Sequence, residues 1–264
     1  MEWQSMRNRE YPQPNTHVTI RGLDKSFAGQ PLYQDLNLDL PKGKIVSIFG
    51  PNGCGKSTLM NMIAGLIPID RGQILFDGKT LAETNIGYVF QNYRDALFPW
   101  LTAWQNIAYP LKRQGMKSAA VKKRVSELSE MFDIRFDLQR YPYELSGGQQ
   151  QTVCIMRALA TEPEVMFLDE PFSALDFEMT LFIRDKLQQV QLLTGVTMLI
   201  VSHDLEDAVF LADEILLLTR RPTRVAEIVP FALPRPRTAE IMSDPEFVRV
   251  KAHTLAVFKR EMAG

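Results

Sequence analysis

The stretch Gly50 to Thr58 reads "GPNGCGKST" and lies between the apolar run "KIVSIF" and the helical segment "STLMNMIAGL". It matches G-x-x-x-x-G-K-[ST], and a strand before and a helix after are the setting in which that pattern binds phosphate. Glycines let the chain turn tightly so that successive N–H groups face phosphate oxygens, and the helix N-terminus adds partial positive charge. Lys56 is then the group that reaches the β- and γ-phosphates, and the Ser57 hydroxyl is a ligand for Mg²⁺. The positions offered to a nucleotide are Gly50, Pro51, Asn52, Gly53, Cys54, Gly55, Lys56, Ser57 and Thr58. Cys54 occupies a variable place in the loop and is assigned no redox role, but its alkylation is expected to block the site.

Working outward, "VMFLDEP" (Val165 to Pro171) is an apolar strand that delivers two adjacent carboxylates. Side chains alternate along a strand, but where it ends the chain turns, so both acids can address one cleft. Asp169 suits the role of holding Mg²⁺ through water, and Glu170 that of polarising the attacking water. A second apolar strand, "LIVSHD", ends at His203, whose imidazole is placed to contact the γ-phosphate or to hold the water and Glu170 in line. Gln91 ends the strand "IGYVFQ" and offers an amide to Mg²⁺ or to the same water.

Short β-branched runs alternate with helical segments along the chain, which predicts an α/β domain. "HVTIRGL", "LNLDLP", "GQILFDGK" and "NIGYVFQ" read as early strands, and "EILLLT" as a strand that closes the sheet. From Asn92 to about Tyr143 the strand signals stop. Ser118 is expected to cap a helix with Val121, Val125, Leu128 and Phe132 on one face, making this segment a helical insertion. After Thr219 the runs "RRPTR" and "LPRPRT" suggest an irregular connection. Ser243 and Glu246 then form a capping-box pattern ahead of an amphipathic helix carrying Phe247, Val250, Thr254, Leu255 and Phe258. The expected division is a polar tail over 1–16, an ATPase domain over 17–219 with its helical part at about 92–150, and an extension over 220–264.

The 264 residues include 30 Lys+Arg against 31 Asp+Glu, so no global basic field favours nucleic acid, and no nucleic-acid partner is expected. The two cysteines, Cys54 and Cys154, match no metal spacing and fit a reducing, cytoplasmic setting. No run approaches the roughly 20 apolar residues of a spanning helix, so other chains must hold this one at any membrane it serves.

A second glycine-rich stretch, "ELSGGQQQ" (Glu144 to Gln151), sets Ser146, Gly147 and Gly148 at the head of the helix "QQTVCIMRALA". Its N–H groups and hydroxyl point at an anion, but it lacks lysine and follows a helical segment, so it completes a site from outside rather than forming the primary cradle. With this element the chain resembles the ATP-binding subunit of an ABC transporter. The resemblance runs in order through Phe27, "GPNGCGKST", Gln91, "LSGGQ", "VMFLDEP", "SALD" ending at Asp176, and "SHD" containing His203.

The resemblance implies a P-loop NTPase fold: a RecA-like core, an antiparallel β subdomain and an inserted helical subdomain. It implies ATP and Mg²⁺ as ligands, Phe27 as the adenine-stacking aromatic, and Asp176 near the nucleotide. It also implies a head-to-tail pair in which Ser146, Gly147, Gly148 and Gln149 of one subunit close over the γ-phosphate held by the other. The partners implied are a second copy or a homologous ATPase subunit, an integral-membrane permease at the cytoplasmic face of the inner membrane and, indirectly, a periplasmic or extracellular solute-binding protein.

"FPWLTAWQNIAYPL" and the tail from "LPRPR" onward look like the nitrate, sulfonate and taurine importer subfamily, with Phe98, Pro99, Trp100 and Trp104 as an apolar cluster for the permease or the core. Gln150 and Thr152 stand where most relatives carry arginines, and Met156 where they carry a small residue. The alternative is a non-transport ABC ATPase acting as a soluble dimer. A DNA-repair relative would carry a very long coiled coil where this chain has only a short helical insertion.

Overall fold

The computed structural model describes residues 16–173 and 175–263; the expected N-terminal tail lies outside them except for Thr16. Two long strands, β1 (Thr16–Phe27) and β2 (Gln30–Pro41), form a hairpin. β3 (Ile45–Phe49) runs into the phosphate loop and α1 (Lys56–Ile63). β4 (Arg71–Phe76) then pairs antiparallel with β1, giving a separate sheet of order β2-β1-β4.

The second sheet has the order β5-β6-β7-β3-β8-β9, built from β5 (Ile86–Val89), β6 (Val165–Asp169), β7 (Thr197–Val201), β8 (Glu214–Leu218) and β9 (Val225–Pro230). Pairing is parallel from β5 through β8 and antiparallel only between β8 and β9. The runs "IVSIF", "VMFLD" and "TMLIV" are buried at every position, as expected for parallel strands covered on both faces. Val165 and Phe167 point toward α1 and the three-stranded sheet, whereas Met166 and Leu168 face the helices on the other side. A one-residue slip would exchange the two sets, and each buried large apolar side chain is worth about 1.5–3 kcal/mol.

Between β5 and β6 the chain is helical, as expected: α2 (Tyr93–Ala96), α3 (Ala103–Arg113), α4 (Ser118–Met131) and α5 (Gly147–Leu159). Val121, Val125, Leu128 and Phe132 are all buried, so the helical spacing was read correctly. The cap was not: Lys117 is the N-cap and Ser118 is the first helical residue, with no side-chain cap bond, because the helix starts one residue earlier.

Three further helices follow: α6 (Phe177–Thr194), α7 (Leu205–Leu211) and α8 (Pro245–Ala263). Two expectations fail in this part. The sheet is closed by β9 rather than by β8, since the segment after "RRPTR" returns as a strand of mixed exposure that lacks a clean alternation. The capping box at Ser243 and Glu246 does not form, because Pro245 opens the helix and Asp244 accepts the Glu246 N–H at 2.8 Å, while the Glu246 carboxylate binds Arg249. Phe247, Val250, Thr254 and Val257 are buried, and Phe258 meets Phe49 at 5.3 Å between ring centroids, so α8 packs on its own core.

Arg237 anchors this C-terminal segment. It is 1% exposed, and its guanidinium donates to the carbonyls of Phe210 at 2.9 Å, Ala212 at 2.7 Å and Leu233 at 2.8 Å. Two of these acceptors belong to the C-terminal turn of α7, whose last carbonyls have no intrahelical partner. Burial and the neighbouring Arg235 pull the Arg237 pKa down to about 10.

Candidate nucleotide site

The site forms where β3, β6 and β7 end at the carboxyl edge of the sheet, the usual ligand edge of a parallel sheet. Gly55 caps α1 with φ 105°, a backbone only glycine adopts readily, and a Cβ there would lie 3.0 Å from the Leu32 side chain. The next residue, Lys56, is 7% exposed and turns its Nζ back onto the carbonyls of Gly50 at 2.9 Å and Pro51 at 3.1 Å. A phosphate offered to the loop competes for this ammonium, which is already positioned over it.

Ser57 Oγ donates to Asp169 Oδ1 at 2.9 Å. This joins the first turn of α1 to the end of β6. A hydroxyl and a carboxylate side by side are oxygen donors of the kind that suit a hard divalent cation such as Mg²⁺. Asp169 is 6% exposed, and desolvation raises its pKa, with the Ser57 hydrogen bond opposing and the Glu170 charge adding to the rise. A cation at this place relieves that desolvation cost.

Glu170 has φ 49°, an uncommon backbone for a residue with a side chain, and its N–H still donates to the Val201 carbonyl at 2.9 Å. Asp169 thus faces the phosphate loop while Glu170 meets two other predicted residues. Gln91 Nε2 donates to Glu170 Oε2 at 2.8 Å, and His203 Nδ1 lies 3.3 Å from the same oxygen. The residues expected to hold and activate water are therefore gathered on one carboxylate, and Gln91 reaches Glu170 rather than the Ser57–Asp169 pair.

Other predicted residues stand apart. Phe27 ends β1, is 45% exposed, and carries Lys25 Nζ at 5.1 Å from its ring centroid. Ser146 caps α5: its hydroxyl accepts the Gln149 N–H at 3.3 Å while Gln149 Oε1 accepts the Ser146 N–H at 3.0 Å. The side chain of Gln149 is therefore spent on the cap. A Cβ on Gly147 would fall 2.7 Å from the Tyr93 hydroxyl and one on Gly148 2.6 Å from the Met179 side chain, so a larger residue at either place would have to displace that neighbour. Asp176 caps α6 by accepting the Met179 N–H at 2.8 Å. Cys54 is buried and desolvation raises its pKa, so the expected block by alkylation must await opening of the loop.

Sequence reasoning missed Tyr33, Arg221 and Thr223, which grip the phosphate loop from outside, and Tyr93. Their signal is weak: Tyr33 falls between the runs read as strands, Arg221 and Thr223 fall in the irregular connection, and Tyr93 falls in the helical insertion. Of the predicted aromatic cluster, Phe98 and Trp104 are half-buried and Trp100 is 70% exposed.

The ABC transporter family model matches residues 33–173, from β2 across the phosphate loop and the helical insertion to the Asp169–Glu170 pair. The chain belongs to the ABC transporter family. ATP binding and ATP hydrolysis follow from that membership. The cassette is 40% identical over 248 residues to the aliphatic sulfonates import ATP-binding protein of Bacillus licheniformis, covering 92% of this chain and 94% of the relative. It is 37% identical over 258 residues to the taurine import ATP-binding protein of Escherichia coli K12, covering 93% and 99%. Among solved structures it resembles a dimeric ATP-binding cassette in a post-hydrolysis state bound to ADP and Pi, with TM-score 0.72 and 30% identity over 81% of this chain and 98% of that one. It also resembles the cassette cbiO1 of Clostridium perfringens, with TM-score 0.75 and 25% identity over 95% and 100%. Both neighbours are ATP-binding cassettes, and the likeness agrees with the expected fold, which this chain shows as a mainly parallel sheet, a separate antiparallel sheet and a helical insertion.

Proposed function

We propose that this cassette is the ATP-hydrolysing subunit of an importer for small anions of the sulfonate, taurine or nitrate class. It works as a pair with a second copy or a homologous subunit, beneath an integral-membrane permease at the cytoplasmic face of the inner membrane, with a solute-binding protein on the far side. The observation that carries the ATPase chemistry is the Glu170 carboxylate held between Gln91 and His203 beside a lysine-bearing phosphate loop. The names of the sulfonate and taurine relatives support the importer class. No helix among the described residues is long and apolar enough to cross a membrane.

The division into an ATPase domain over 17–219, a helical part at about 92–150 and an extension over 220–264 belongs to the same proposal. Phe27 stacks on adenine, and the N–H groups from Gly50 to Thr58 together with Lys56 hold the phosphates. Ser57 and Asp169 would hold Mg²⁺, which when bound would supply charge neutralisation for the phosphates. Glu170 takes a proton from the water that attacks the γ-phosphorus as the bond to the β-phosphate oxygen breaks, and Gln91 and His203 fix the orientation of the carboxylate. Ser146, Gly147 and Gly148 of the paired subunit close over the γ-phosphate. Loss of that phosphate releases them, and the pair opens. The exposed Trp100, with Pro99 beside it, faces the permease.

The test is recovery of tagged Glu170→Gln from its native membranes in the presence of ATP, with mass spectrometry of the co-purifying chains. A multi-span permease is the expected result. Recovery from the soluble fraction alone, as a homodimer, would overturn the importer reading in favour of a non-transport ATPase.

A further inference from the structure

We infer that the turn between β8 and β9, residues 220–224, together with Tyr33, is a clamp that pre-organises the phosphate loop and sets it in register with the adenine side of the site. The clamp rests on the nucleotide reading given above and adds residues to it. Its chemistry is hydrogen bonding to loop carbonyls in series. Arg221 Nε donates to the Gly53 carbonyl at 2.8 Å, Thr223 Oγ1 to the Cys54 carbonyl at 2.5 Å, and the Tyr33 hydroxyl to the Gly55 carbonyl at 3.1 Å. In a trans peptide the C=O of one residue and the N–H of the next point in opposite directions. Holding these carbonyls on the outer side therefore turns the N–H groups of Cys54, Gly55 and Lys56 inward. Cys54 N–H closes the loop's own turn onto Pro51 at 3.3 Å, which leaves those of Gly55 and Lys56 for an anion.

The same turn is stitched to the first hairpin. Thr223 N–H donates to the Leu32 carbonyl at 2.7 Å, Thr223 and Tyr33 form an isolated parallel bridge, and the Leu32 side chain packs beneath Gly55. β2 leads straight back through the hairpin turn to Phe27. One short segment thus touches both the phosphate loop and the strand pair that carries the adenine-side aromatic. Thr223 and Tyr33 are 3% and 0% exposed, so neither hydroxyl has water as an alternative partner. Arg221 adds a cation at the rim. An unclamped loop has to order itself when nucleotide arrives, whereas a clamped one is already ordered, and the difference appears as affinity for the phosphate half of the ligand.

The experiment displaces a fluorescent ATP analogue from the full chain with ATP, with pyrophosphate and with adenosine. Thr223→Val keeps shape and removes the hydroxyl. It is expected to weaken ATP and pyrophosphate about three- to tenfold, the loss of one buried hydrogen bond, and to leave adenosine unchanged. Thr223→Ser is expected to restore both. In steady-state hydrolysis the loss falls on KM, with kcat nearly kept. Arg221→Ala, whose bond is exposed, is expected to weaken ATP and pyrophosphate in the same direction by a smaller factor, and serves should Thr223→Val fail to fold. ATP and pyrophosphate binding unchanged in both variants, or adenosine weakened by the same factor as ATP, would overturn the clamp. If the unsubstituted chain releases the analogue to adenosine but not to pyrophosphate or ATP, the phosphate-site reading falls and the clamp falls with it.

Discussion

Glu170→Gln isolates the water-activating role, because the substitution changes chemistry while keeping shape. In the structure Glu170 Oε2 accepts from Gln91 Nε2 at 2.8 Å and lies 3.3 Å from His203 Nδ1. An amide oxygen still accepts from Gln91, and the Glu170 side chain is 19% exposed, so no buried group loses its partner. The expected change in folding stability is below about 1 kcal/mol. The lost function is proton acceptance, which an amide cannot perform. A positioned general base contributes about 10²–10⁴ in rate, equivalent to about 2.7–5.4 kcal/mol at 1.36 kcal/mol per decade. Phosphate release under saturating ATP should fall by that factor, while equilibrium titration shows ATP affinity retained. Size-exclusion chromatography with ATP should show an accumulated dimer, because the γ-phosphate that holds the pair is no longer removed. Turnover within about fivefold of the unsubstituted chain would refute the assignment, since loss of a general base at this carboxylate cannot be that small.

Phe27→Ala removes a half-exposed ring at the end of β1 and should weaken ATP by about 0.5–1.5 kcal/mol, the worth of one aromatic stack. Unchanged affinity by titration would hand the adenine to a different side chain. Arg237→Leu leaves the buried carbonyls of Phe210 and Ala212 without their donor, and at about 1–3 kcal/mol each urea unfolding should show a loss of at least about 2 kcal/mol. A loss below about 1 kcal/mol would mean that the segment relaxes onto other donors. His17 is 1% exposed; burial lowers its pKa below the ordinary 6.5, with Asp77 and Glu164 opposing and Lys42 and Lys79 assisting. The folded chain therefore refuses a proton that the unfolded chain accepts. Stability is full above 6.5 and is lost as pH falls from there through the lowered folded value. Denaturant midpoints across that window should drop for the unsubstituted chain and stay flatter for His17→Gln; equal slopes would exclude His17 as the source.

The candidate catalytic residues were legible because each is the terminal residue of an apolar run or lies in a spaced motif. Asp169 and His203 could be placed without coordinates, since a buried parallel strand has a recognisable composition and its carboxyl end is where ligands gather. What stayed hidden were contacts between segments far apart in sequence. Thr223 and Cys54 are separated by 169 positions, and nothing in "RRPTR" announces that its hydroxyl lies against a loop carbonyl. Arg237 was read as punctuation in a proline-rich stretch, although it is among the most buried side chains of the fold. Its hydrogen bonds go to carbonyls, and its acidic neighbour Asp213, 4.0 Å away, lies 24 positions earlier, so no local charge pair in the sequence marks it. The misplaced caps at Ser118 and Ser243 have a local cause: in both cases a neighbouring residue is the cap, and propensity alone does not fix the boundary to one position.

The replacements after the "LSGGQ" stretch have a structural account. Gln150 Nε2 donates to the Leu145 carbonyl at 3.1 Å, and Thr152 Oγ1 donates to the Gly148 carbonyl at 2.8 Å, so both residues bond back to the turn that presents Ser146. That turn is in turn tied to the segment after Gln91. The Tyr93 hydroxyl fills the space a Gly147 side chain would need, the Tyr93 carbonyl accepts from Cys154 Sγ at 3.5 Å, and Arg157 donates to the Ala96 carbonyl at 2.8 Å. Tyr93, Cys154 and the middle of α5 are buried, and close-packed interiors move as units rather than deform. Within one chain these contacts join the segment that follows Gln91, the partner of Glu170, to the turn that carries Ser146.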